Sequence, residues 1–408
     1  MNTFKLGIRN LRRNARRSLT TLLSIAFGFA AVALFSGYTK EVYRGLTDQA
    51  VHGELIGHLN LARRGMTREG RLHPERYLLS PPEIGRIAQI VQATCPQARI
   101  APRLGLSGLA SNGRVSTIFL ADGVAPEDLK ALRGPRLEGA GALSPGEPQG
   151  IAMANGLAEL LGLKAGDDAT LLVSTLHGQA NASDASVLGT YGTGNAGLED
   201  KAVFVPLAMA RSLYDAEGRA DRLTVLLPDL DQTGPARARL APAFKAAGLD
   251  LEISTWQELS AFYRQVKGMF DMIFGFILAI VLTVVVMSVA NAMGMSVVER
   301  TREIGTLRAM GLRRAGVVRL FVTEALLLVG LGAAAGLALT LAVRAGVNAA
   351  AFSYTPPNGT GKVLLLVGLD GGRMLFTLVL LGLLALAAAV VPARRAARRP
   401  VTESLAHV

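Results

Sequence analysis

The chain has 408 residues, of which 50% are hydrophobic and only 18% are charged, and its formal net charge is +12. Soluble globular domains carry about 25% charged residues, so the composition excludes an ordinary soluble protein and indicates membrane-spanning segments. The basic residues lie beside apolar segments without interleaved aromatic residues, which argues against a nucleic-acid partner and favours contact with an anionic lipid membrane.

Four stretches of the chain are long and apolar enough to cross a bilayer, which takes about 20 residues of helix. The predicted spans are 19–40, 270–294, 320–343 and 374–392. Arginine and lysine cluster in 1–18, 295–319 and 393–408, and the positive-inside rule places all three clusters in the cytoplasm. We therefore expect both termini inside, a large outer domain at 41–269 and a short outer loop at 344–373.

The first 18 residues predict a basic amphipathic cytoplasmic segment. Its cations are Lys5, Arg9, Arg12, Arg13, Arg16 and Arg17. A basic start followed by an apolar run is also typical of a secretory signal peptide, whose apolar run has roughly 7–15 residues. The run here is longer, and "ALFSGYTK" makes a poor cleavage site, so a retained membrane span is the favoured interpretation.

Residues 41–269 are predicted to form a mixed α+β domain. Apolar or β-branched runs predict strands in "RVSTIFLADGV", "DATLLVST", "KAVFVPL" and "DRLTVLLPDL". Helical spacing predicts helices in "SPPEIGRIAQIVQAT", which Ser80 would cap, in "NGLAELLGL", which Gly162 would end, and in "GPARARLAPAFKAAG". The stretch "HGQANASDASVLGTYGTGNAGLEDK" is rich in small and polar residues and is predicted to be a flexible loop or hairpin tip.

No set of residues predicts a catalytic or metal-binding site. His52 and His58 are six residues apart, which is not a metal-ligand spacing on a helix, and they are better explained as solvated or hydrogen-bonded side chains. Cys95 is the only cysteine, which excludes an internal disulfide and a cysteine-based metal site. The sequence "NGTGK" fails as a nucleotide-binding loop, because Pro356 stands where that motif needs Gly and Val363 where it needs Ser or Thr. We therefore expect a protein that is not itself an enzyme.

The stretch between the second and third spans is charged and regular, and it predicts a stiff helix from Met295 to Met310. Along this helix Ile304, Leu307 and Met310 repeat every third residue and predict an apolar stripe. Gly311 suits the left-handed residue that ends a helix. The stretch is therefore expected to be a rigid cytoplasmic elbow with an apolar ridge.

Charged and small residues surround this ridge in the segment 295–319. Arg300 and Glu303 are i,i+3 partners that support the helix, and Gly305 with Ala309 leaves a shallow notch where another backbone can approach. Three interpretations remain open: a helix that docks onto another protein, a basic helix that lies on the anionic inner leaflet, and an ordinary charged loop.

The third span contains one carboxylate and one small-residue motif. Glu324 lies a few residues into the span, where a carboxylate is costly, and an ion pair with Arg319 or Arg308 is favoured over a role in transport. Gly332 and Gly336 form a G-x-x-x-G pattern that permits close helix packing, either between two subunits or within one.

The elbow also carries a family resemblance. The stretch "NAMGMSVVERTREIGTLRAMGLRRAGVVRLFVTEALLL" closely resembles the signature region of the MacB/FtsX-like ABC transporter permeases, which include the lipoprotein-releasing permeases. In the same family, "GIRNLRRNARRSLTTLLSI" resembles the basic start, "NGLAELLGLKAGDDATL" an element of the periplasmic core domain, and "PARRAARRPVTESL" the C-terminal tail. The predicted layout of four spans with a large domain after the first also agrees.

The resemblance implies that the elbow is a coupling helix that docks into a separate ATPase subunit. Carried over by motif, the coupling residues would be Glu299, Arg300, Arg302, Glu303, Gly305, Arg308 and Gly311. ATP and Mg would bind to that partner, and no cofactor would bind to this chain. Because the chain starts close to its first span and has no Walker motif, its ATPase is expected to be a partner chain.

The resemblance further implies a pair of permeases in the bacterial inner membrane, either two copies of this chain or this chain with a sister permease. Extraction of lipid-anchored proteins or similar hydrophobic cargo is favoured, because "GLTDQAVHGELIGHLNLARRG" resembles the lipoprotein-releasing branch. Efflux of a drug or peptide to an outer-membrane duct is the alternative, and signalling to a cell-wall hydrolase is a third. A periplasmic carrier or adaptor protein would assist.

Overall fold

The computed structural model describes residues 15–70, 72–134, 142–356, 359–400 and 402–403. The chain divides into two compact units, which contain Met1–Tyr43, Val266–Ser353 and Leu364–Val408 in the first, and Arg44–Gln265 and Tyr354–Val363 in the second. Most of the predicted basic segment at 1–18 and the end of the basic tail lie outside the described residues.

The helices and strands alternate through the second unit, and long helices make up most of the first. The helices are α1 Ala15–Asp48, α2 Met66–Glu69, α3 Pro74–Tyr77, α4 Pro81–Thr94, α5 Pro126–Arg133, α6 Asn155–Leu161, α7 Ala196–Glu199, α8 Leu207–Tyr214, α9 Thr233–Ala246, α10 Trp256–Leu259, α11 Ala261–Glu299, α12 Thr301–Ala309, α13 Arg314–Ala350 and α14 Gly371–Arg398. The strands are β1 Leu59–Arg63, β2 Arg99–Ser111, β3 Ser116–Val124, β4 Gly150–Ala154, β5 Asp168–Ser174, β6 Ala180–Tyr191, β7 Ala202–Pro206, β8 Arg222–Leu226, β9 Leu251–Thr255, β10 Ser353–Tyr354 and β11 Val363–Leu364.

Four helices in the described residues, α1, α11, α13 and α14, are long and apolar enough to cross a membrane. Each contains one predicted span and continues past it at both ends. All four helices contribute side chains to the hydrophobic core of the first unit. Its members include Ile25 and Phe29 of α1, Val285 and Val289 of α11, Phe321 and Leu328 of α13, and Leu381 and Ala385 of α14. The segment predicted as an outer loop at 344–373 is shorter than expected, because α13 continues to Ala350 and α14 begins at Gly371.

The second unit contains the mixed α+β fold, and its nine strands follow the order β3-β7-β4-β6-β5-β2-β8-β1-β9. β2 also pairs with β3, so six of these strands close into a ring. β2 is long enough to serve two sheets: residues 104–111 pair with β3 inside the ring, and residues 99–103 pair with β8. The unit therefore has two lobes that share β2.

Each lobe has its own hydrophobic core. The ring encloses Phe119, Leu171 and Val205, which are fully buried. In the other lobe α4 and α9 pack on the β2-β8-β1-β9 sheet and bury apolar residues against it. These residues include Ile87 and Val91 of α4, Leu240 and Phe244 of α9, and Leu59 and Leu223 of the sheet.

Several predicted elements of this unit are confirmed. Ser80 and Glu83 form a capping box at the start of α4, and Gly162 ends α6 with a left-handed φ of 63°. The prediction of a flexible loop or hairpin tip at 177–201 is wrong for most of that stretch, because residues 180–191 form the twelve-residue strand β6 and only the start, 177–179, lies in the turn of the β5–β6 hairpin. The second half of β6 alternates buried residues such as Val187 and Tyr191 with half-buried ones, a two-residue period that the small and polar composition masks.

Candidate coupling site

The elbow between the second and third membrane helices contains a break at Arg300. α11 ends at Glu299, and Arg300 has φ −111° and ψ 14°, outside the helical region. A new helix, α12, begins at the next residue, and the Ile304 N–H donates to the Arg300 carbonyl at 2.9 Å. The prediction of one continuous helix from Met295 to Met310 is therefore wrong.

The break places the Arg300 side chain in a buried ion pair. Its Nη1 lies 3.3 Å from Oε2 of Glu324 on α13, and its Nε lies 3.1 Å from Oε2 of Glu303. The guanidinium carbon is 5.9 Å from the centroid of the Phe321 ring. The side chains of Arg300 and Glu324 are 12% and 6% exposed, so water screens this pair weakly. The pair joins the start of the elbow to the third membrane helix.

The partner of Glu324 differs from the two that the sequence suggested. Arg319 is five residues earlier on the same helix, which is about 140° around the axis, and it is exposed where Glu324 is buried. Arg308 donates instead to the backbone carbonyl of Arg399. The structure pairs Glu324 with Arg300, which lies 24 residues away in the chain.

The inner face of α12 is fixed against the membrane helices. Thr301, Ile304 and Gly305 are buried, and Ile304 belongs to the same core cluster as the spans. The expected apolar ridge is split, because Ile304 is 4% exposed, Leu307 is half-buried and Met310 is 72% exposed. Residues three apart rotate by about 60° per step around a helix of 3.6 residues per turn, so a ridge of this spacing winds off one face.

The end of α12 is fixed by two further contacts. Arg308 bonds to the carbonyl of Arg399, just beyond α14. Gly311 has φ 99°, and its N–H donates to the Arg308 carbonyl while the N–H of Leu312 donates to the Leu307 carbonyl, each at 3.0 Å. This pair of bonds is a Schellman motif, and the predicted left-handed conformation of Gly311 is confirmed.

The outer face of the elbow remains open to solvent. Its exposed residues include Glu299, Arg302, Thr306, Ala309 and Met310. The seven residues predicted to contact the ATPase therefore fall into three groups by their exposure. Glu299, Arg302 and Gly311 are exposed, Glu303 and Arg308 are half-buried, and Arg300 and Gly305 face inward. The elbow is a short rigid helix with one face held by the membrane helices and the other available.

The two glycines of the third span pack against the first span of the same chain. A Cβ on Gly332 would lie 2.7 Å from Cγ2 of Ile25, and a Cβ on Gly336 would lie 2.6 Å from the carbonyl oxygen of Ala26. Both distances are shorter than real Cβ contacts allow. The sequence left open whether this motif packs between subunits or within one. In the structure it packs within a single subunit.

A polar cluster that the sequence did not predict joins three spans at their ends opposite to the elbow. Tyr43 of α1 donates to Oδ1 of Asp271 on α11 at 2.9 Å. Arg373 of α14 lies 3.5 Å from the same carboxylate and donates to Oγ1 of Thr39 on α1 at 3.3 Å. Its guanidinium carbon also stands 4.9 Å from the centroid of the Phe274 ring. The charges of this cluster are Asp271 on α11 and Arg373 on α14, and a sequence alone does not show that the two meet.

In the second unit the chain between the first span and β1 is tied to the fold by a buried arginine. A π-helix at Gln49–Gly53 is followed by Leu55, which is 2% exposed. Leu55 has a left-handed φ of 54°, a backbone conformation that is unfavourable for a residue with a Cβ. The carbonyl of Leu55 accepts from Nη1 of Arg103 at 2.9 Å, and Nε2 of Gln49 donates to the carbonyl of Thr193 at 2.7 Å. This segment is therefore bonded to both β2 and the loop after β6.

The Arg103 side chain is fully buried and paired with Asp122 on β3. Arg222 on β8 contacts the same carboxylate at 2.8 Å. Burial raises the pKa of Asp122, but the two guanidinium groups outweigh it and hold the pKa below its usual range. Asp122 is therefore ionised at neutral pH and joins strands of both lobes.

The described residues contain no group of three or more His, Cys, Asp or Glu side chains placed to hold a metal ion. The elbow has one exposed face, and the Arg300–Glu324 pair connects it to the third membrane helix.

Two family models match the chain. One, described as FtsX-like permease C-terminal, matches residues 275–401, which include the elbow. The other, described as MacB-like periplasmic core domain, matches residues 18–243, more than half of the chain.

Three curated relatives illustrate the similarity. The chain is 31% identical over 144 residues to the macrolide export ATP-binding/permease protein MacB of Hyphomonas neptunium, which covers 35% of this chain and 22% of that protein. It is 25% identical over 349 residues to the lipoprotein-releasing system transmembrane protein LolC of Neisseria meningitidis. This match covers 78% of this chain and 76% of that protein. It is 26% identical over 409 residues to the pyoverdine export ATP-binding/permease protein PvdT of Pseudomonas fluorescens. This match covers 95% of this chain and 57% of that protein. The chain thus spans less than a quarter of the first of these relatives.

Proposed function

The chain belongs to the MacB/FtsX-like family of ABC transporter permeases, and we propose that it transmits the motion of a separate ATPase subunit through its spans to its MacB-like periplasmic core domain. The proposal places the protein in the bacterial inner membrane with both termini in the cytoplasm, as the arginine clusters predict. ATP and Mg belong to the partner, and this chain carries motion without doing chemistry.

The division of the elbow into two faces is the observation that supports this function. A helix that receives force from a docked protein needs an exposed face for the partner and a stiff connection to the elements that move. The exposed face contains Glu299, Arg302 and Thr306. The stiff connection runs through the pair of Arg300 with Glu324 and through the buried side chain of Ile304.

A push on the exposed face would move three spans together. α12 follows α11 directly in the chain, is joined to α13 by the ion pair and contacts the end of α14 through Arg308. Packed interiors transmit displacement because they are dense and compress little. Displacement at the elbow would therefore change the tilt of the spans instead of being absorbed locally.

A separate ATPase is part of the proposal, and the 408 residues themselves contain no G-x-x-x-x-G-K-[ST] motif that would bind ATP. The only Gly-Lys pair, Gly361 with Lys362, is followed by Val363. A second permease subunit, either another copy or a sister chain, would complete the complex. Since Gly332 and Gly336 already pack on α1, that subunit would contact another surface.

Lipid-anchored proteins or similar hydrophobic molecules are the proposed cargo. The support is the relative named as a lipoprotein-releasing system transmembrane protein, whose match covers 78% of this chain and 76% of that protein. Efflux of a small amphiphile with a periplasmic adaptor is the second candidate, favoured by the relatives named for macrolide and pyoverdine export. For lipoprotein cargo, a periplasmic carrier protein would receive the product.

The docking proposal is tested by co-purifying the full chain with ABC ATPases of its own cell. We expect Arg302→Glu and Thr306→Glu to abolish co-purification with one ATPase, because both side chains lie on the exposed face of the elbow. Arg395→Glu is the matched control, since it reverses another exposed cation, near the end of α14. It should leave binding intact.

Two results would contradict the docking proposal: an ATPase that binds the Arg302→Glu and Thr306→Glu variants as well as the original chain, or equal loss with Arg395→Glu. The cargo is tested separately, by photo-crosslinking from exposed positions of the periplasmic core domain. Crosslinks to lipoproteins support extraction, and crosslinks to an adaptor with none to lipoproteins would favour efflux.

A further inference from the structure

The connection between α13 and α14 ends in a short apolar stretch. Residues 364–369 read LLLVGL and contain no polar or charged side chain. Beyond Leu364, the last residue of β11, the chain forms no helix or strand until α14 begins. Leu364 is 51% exposed, and Leu366 and Leu369 are each 39% exposed. We call residues 364–369 the apolar strap, and it lies at the ends of the spans opposite to the elbow.

Hydrogen bonds from α13 hold the middle of the strap. Oδ1 of Asn348 accepts from the Val367 N–H at 2.9 Å, and Nδ2 of Asn348 donates to the Val367 carbonyl at 3.1 Å. Nε of Arg344 donates to the same carbonyl at 2.9 Å. Side chains of the third span therefore satisfy both main-chain groups of Val367, as a neighbouring strand would.

The first span holds the next part of the strap. The Gly368 N–H donates to the Gly37 carbonyl at 3.1 Å, and Nζ of Lys40 donates to the Leu369 carbonyl at 2.9 Å. A Cβ on Gly37 would clash with the carbonyl oxygen of Gly368, so the close approach requires glycine on α1. The strap is thus fixed to two membrane helices.

These contacts give the depth of the strap along the spans. Gly37 is three residues inside the end of the predicted span 19–40, and Arg344 comes directly after the predicted span 320–343. At a rise of 1.5 Å per residue, the bonded part of the strap lies within about 5 Å of the hydrocarbon edge. The headgroup region beyond that edge is about 5–8 Å thick on each side of a bilayer. The strap therefore lies where acyl chains meet headgroups.

The bonding of the strap suits this depth. Because hydrocarbon offers no water to bond with, irregular backbone occurs at membrane depth only where protein groups satisfy it. A loop in water usually has the opposite arrangement, with its main chain hydrated and its apolar side chains turned inward. Here Asn348, Arg344 and Lys40 bond to the main chain, and the leucines are exposed.

We infer that the apolar strap lies in the membrane, with Leu364, Leu366 and Leu369 in contact with the acyl chains of one leaflet. The leucines continue the exposed apolar surface at the start of α14, where Leu375 and Phe376 are 63% and 56% exposed. Lipid that surrounds the spans would therefore also cover the strap. That this leaflet is the outer one rests on the proposed topology, whereas the lipid contact does not.

The test places a fluorescent NBD group on a Leu366→Cys variant of the full chain in nanodiscs of phosphatidylethanolamine and phosphatidylglycerol. The native Cys95 is buried, so it labels little. Three quenchers report the depth: a lipid nitroxide just below the headgroup, a lipid nitroxide near the end of the acyl chain, and iodide in the water. Val284→Cys, exposed in the middle of α11, is the reference for lipid, and Ala182→Cys, exposed on β6, is the reference for water.

We expect the Leu366 probe to lose most of its fluorescence to the shallow nitroxide, less to the deep nitroxide and almost none to iodide. The Val284 probe should reverse the order of the two nitroxides, because it lies near the middle of its span. The Ala182 probe should respond to iodide alone. Both references use the same chemistry, so they calibrate the affinity of the probe itself for lipid.

A second substitution tests whether the bonds from α13 set the position of the strap. In Asn348→Ala the Val367 N–H loses its partner and needs water, so the strap should shift outward. We expect the Leu366 probe to become several-fold more sensitive to iodide. Asn291→Ala is the matched control, since it removes an exposed amide from α11, and it should change nothing. Size-exclusion chromatography checks that both variants are folded.

Three results would overturn the inference. Iodide quenching of the Leu366 probe as strong as that of the Ala182 probe would place the strap in water. Protection from all three quenchers would mean that protein covers the leucines, as a second permease subunit could. Equal responses of Asn348→Ala and Asn291→Ala would show that Asn348 does not hold the strap. None of these results bears on ATPase docking at the elbow, so the two proposals fail independently.

Discussion

Arg300 shows how one residue can define the elbow. A guanidinium placed beside apolar helices needs a counter-charge, because an unpaired buried charge costs several kcal/mol. Glu324 supplies that charge from a position where a lone carboxylate would be equally costly. Each charge offsets the free-energy cost of burying the other, and the pair holds the end of the second span beside the third.

Removing one member of this pair should therefore destabilise the fold. We expect Glu324→Gln to lower the free energy of unfolding by about 3 kcal/mol, since the buried Arg300 guanidinium then keeps only the half-buried Glu303 as its counter-charge. Denaturant unfolding in detergent measures this loss. Arg319→Gln is the matched control, an exposed cation on the same helix, and should change the free energy by less than about 0.5 kcal/mol. Equal effects of the two substitutions would contradict the assignment of the pair.

His58 is the clearest pH-sensitive residue of the second unit. Its pKa is lowered to about 4 from an ordinary 6.5, mainly by burial and also by the charge of His52, while Asp229 opposes the shift. Its Nδ1 accepts from the N–H of Leu227 at 3.2 Å, which requires the neutral ring. The expectation of a hydrogen-bonded histidine instead of a metal ligand fits this position.

The sign of the pH dependence follows from this shift. Above pH 6.5 both the folded and unfolded forms are neutral at His58, and its contribution to stability is complete. As the pH falls from 6.5 toward 4, the unfolded chain binds a proton that the folded chain refuses, so stability falls by up to about 1.4 kcal/mol per pH unit.

The measurement is denaturant unfolding between pH 7 and 4, followed by the fluorescence of Trp256, the only tryptophan. We expect His58→Asn to remove this part of the slope, because the amide oxygen can accept the same bond without titrating. His177→Asn, at an exposed histidine, should keep the slope of the original chain. Identical slopes in all three proteins would mean that His58 is not the titrating group.

At the scale of elements, the close approach of the first and third spans depends on two glycines. Gly336→Ala would place a Cβ 2.6 Å from the carbonyl oxygen of Ala26, which forces the helices apart. We expect a loss of about 1–3 kcal/mol, measured as a lower unfolding midpoint in detergent. Gly330→Ala is the control on the same helix, with nothing within 4 Å of the added Cβ. It should be neutral or slightly stabilising, and a larger loss at Gly330 than at Gly336 would contradict the packing.

The elements differ in how far the sequence could predict them. The four spans, the capped start of α4 and the end of α6 at Gly162 follow from local patterns of hydropathy and backbone preference, which a single sequence contains. β6 was missed because most of its residues are small or polar, a composition typical of a loop that masks the two-residue period. Its position depends on pairing with β5, which is a tertiary interaction.

The sequence likewise predicted only part of the candidate site. The sequence predicted the elbow, its charged residues and the conformation of Gly311. It could not predict the break at Arg300 or the true partner of Glu324, because both depend on which groups of α11 and α13 meet in space. The cluster of Asp271 with Arg373 was missed for the same reason, since its members are 102 residues apart.

At the scale of the whole molecule, the proposed function requires force to pass from the elbow to the periplasmic core domain. The chain supplies continuity between them, since α1 leads into the second unit and β9 leads through α10 into α11. This arrangement can do work only if the elbow and the domain lie on opposite sides of the membrane. That separation is the central claim of the proposed function.

Single cysteines that react with a small membrane-impermeant maleimide test this claim most directly. The native Cys95 is buried, so background labelling is low, and both Thr306 on the elbow and Ala182 on the outer domain are exposed. In intact cells we expect labelling of the Ala182→Cys variant and none of the Thr306→Cys variant, which should react only after the cells are opened. Labelling of Thr306→Cys in intact cells to the same extent as Ala182→Cys would contradict it.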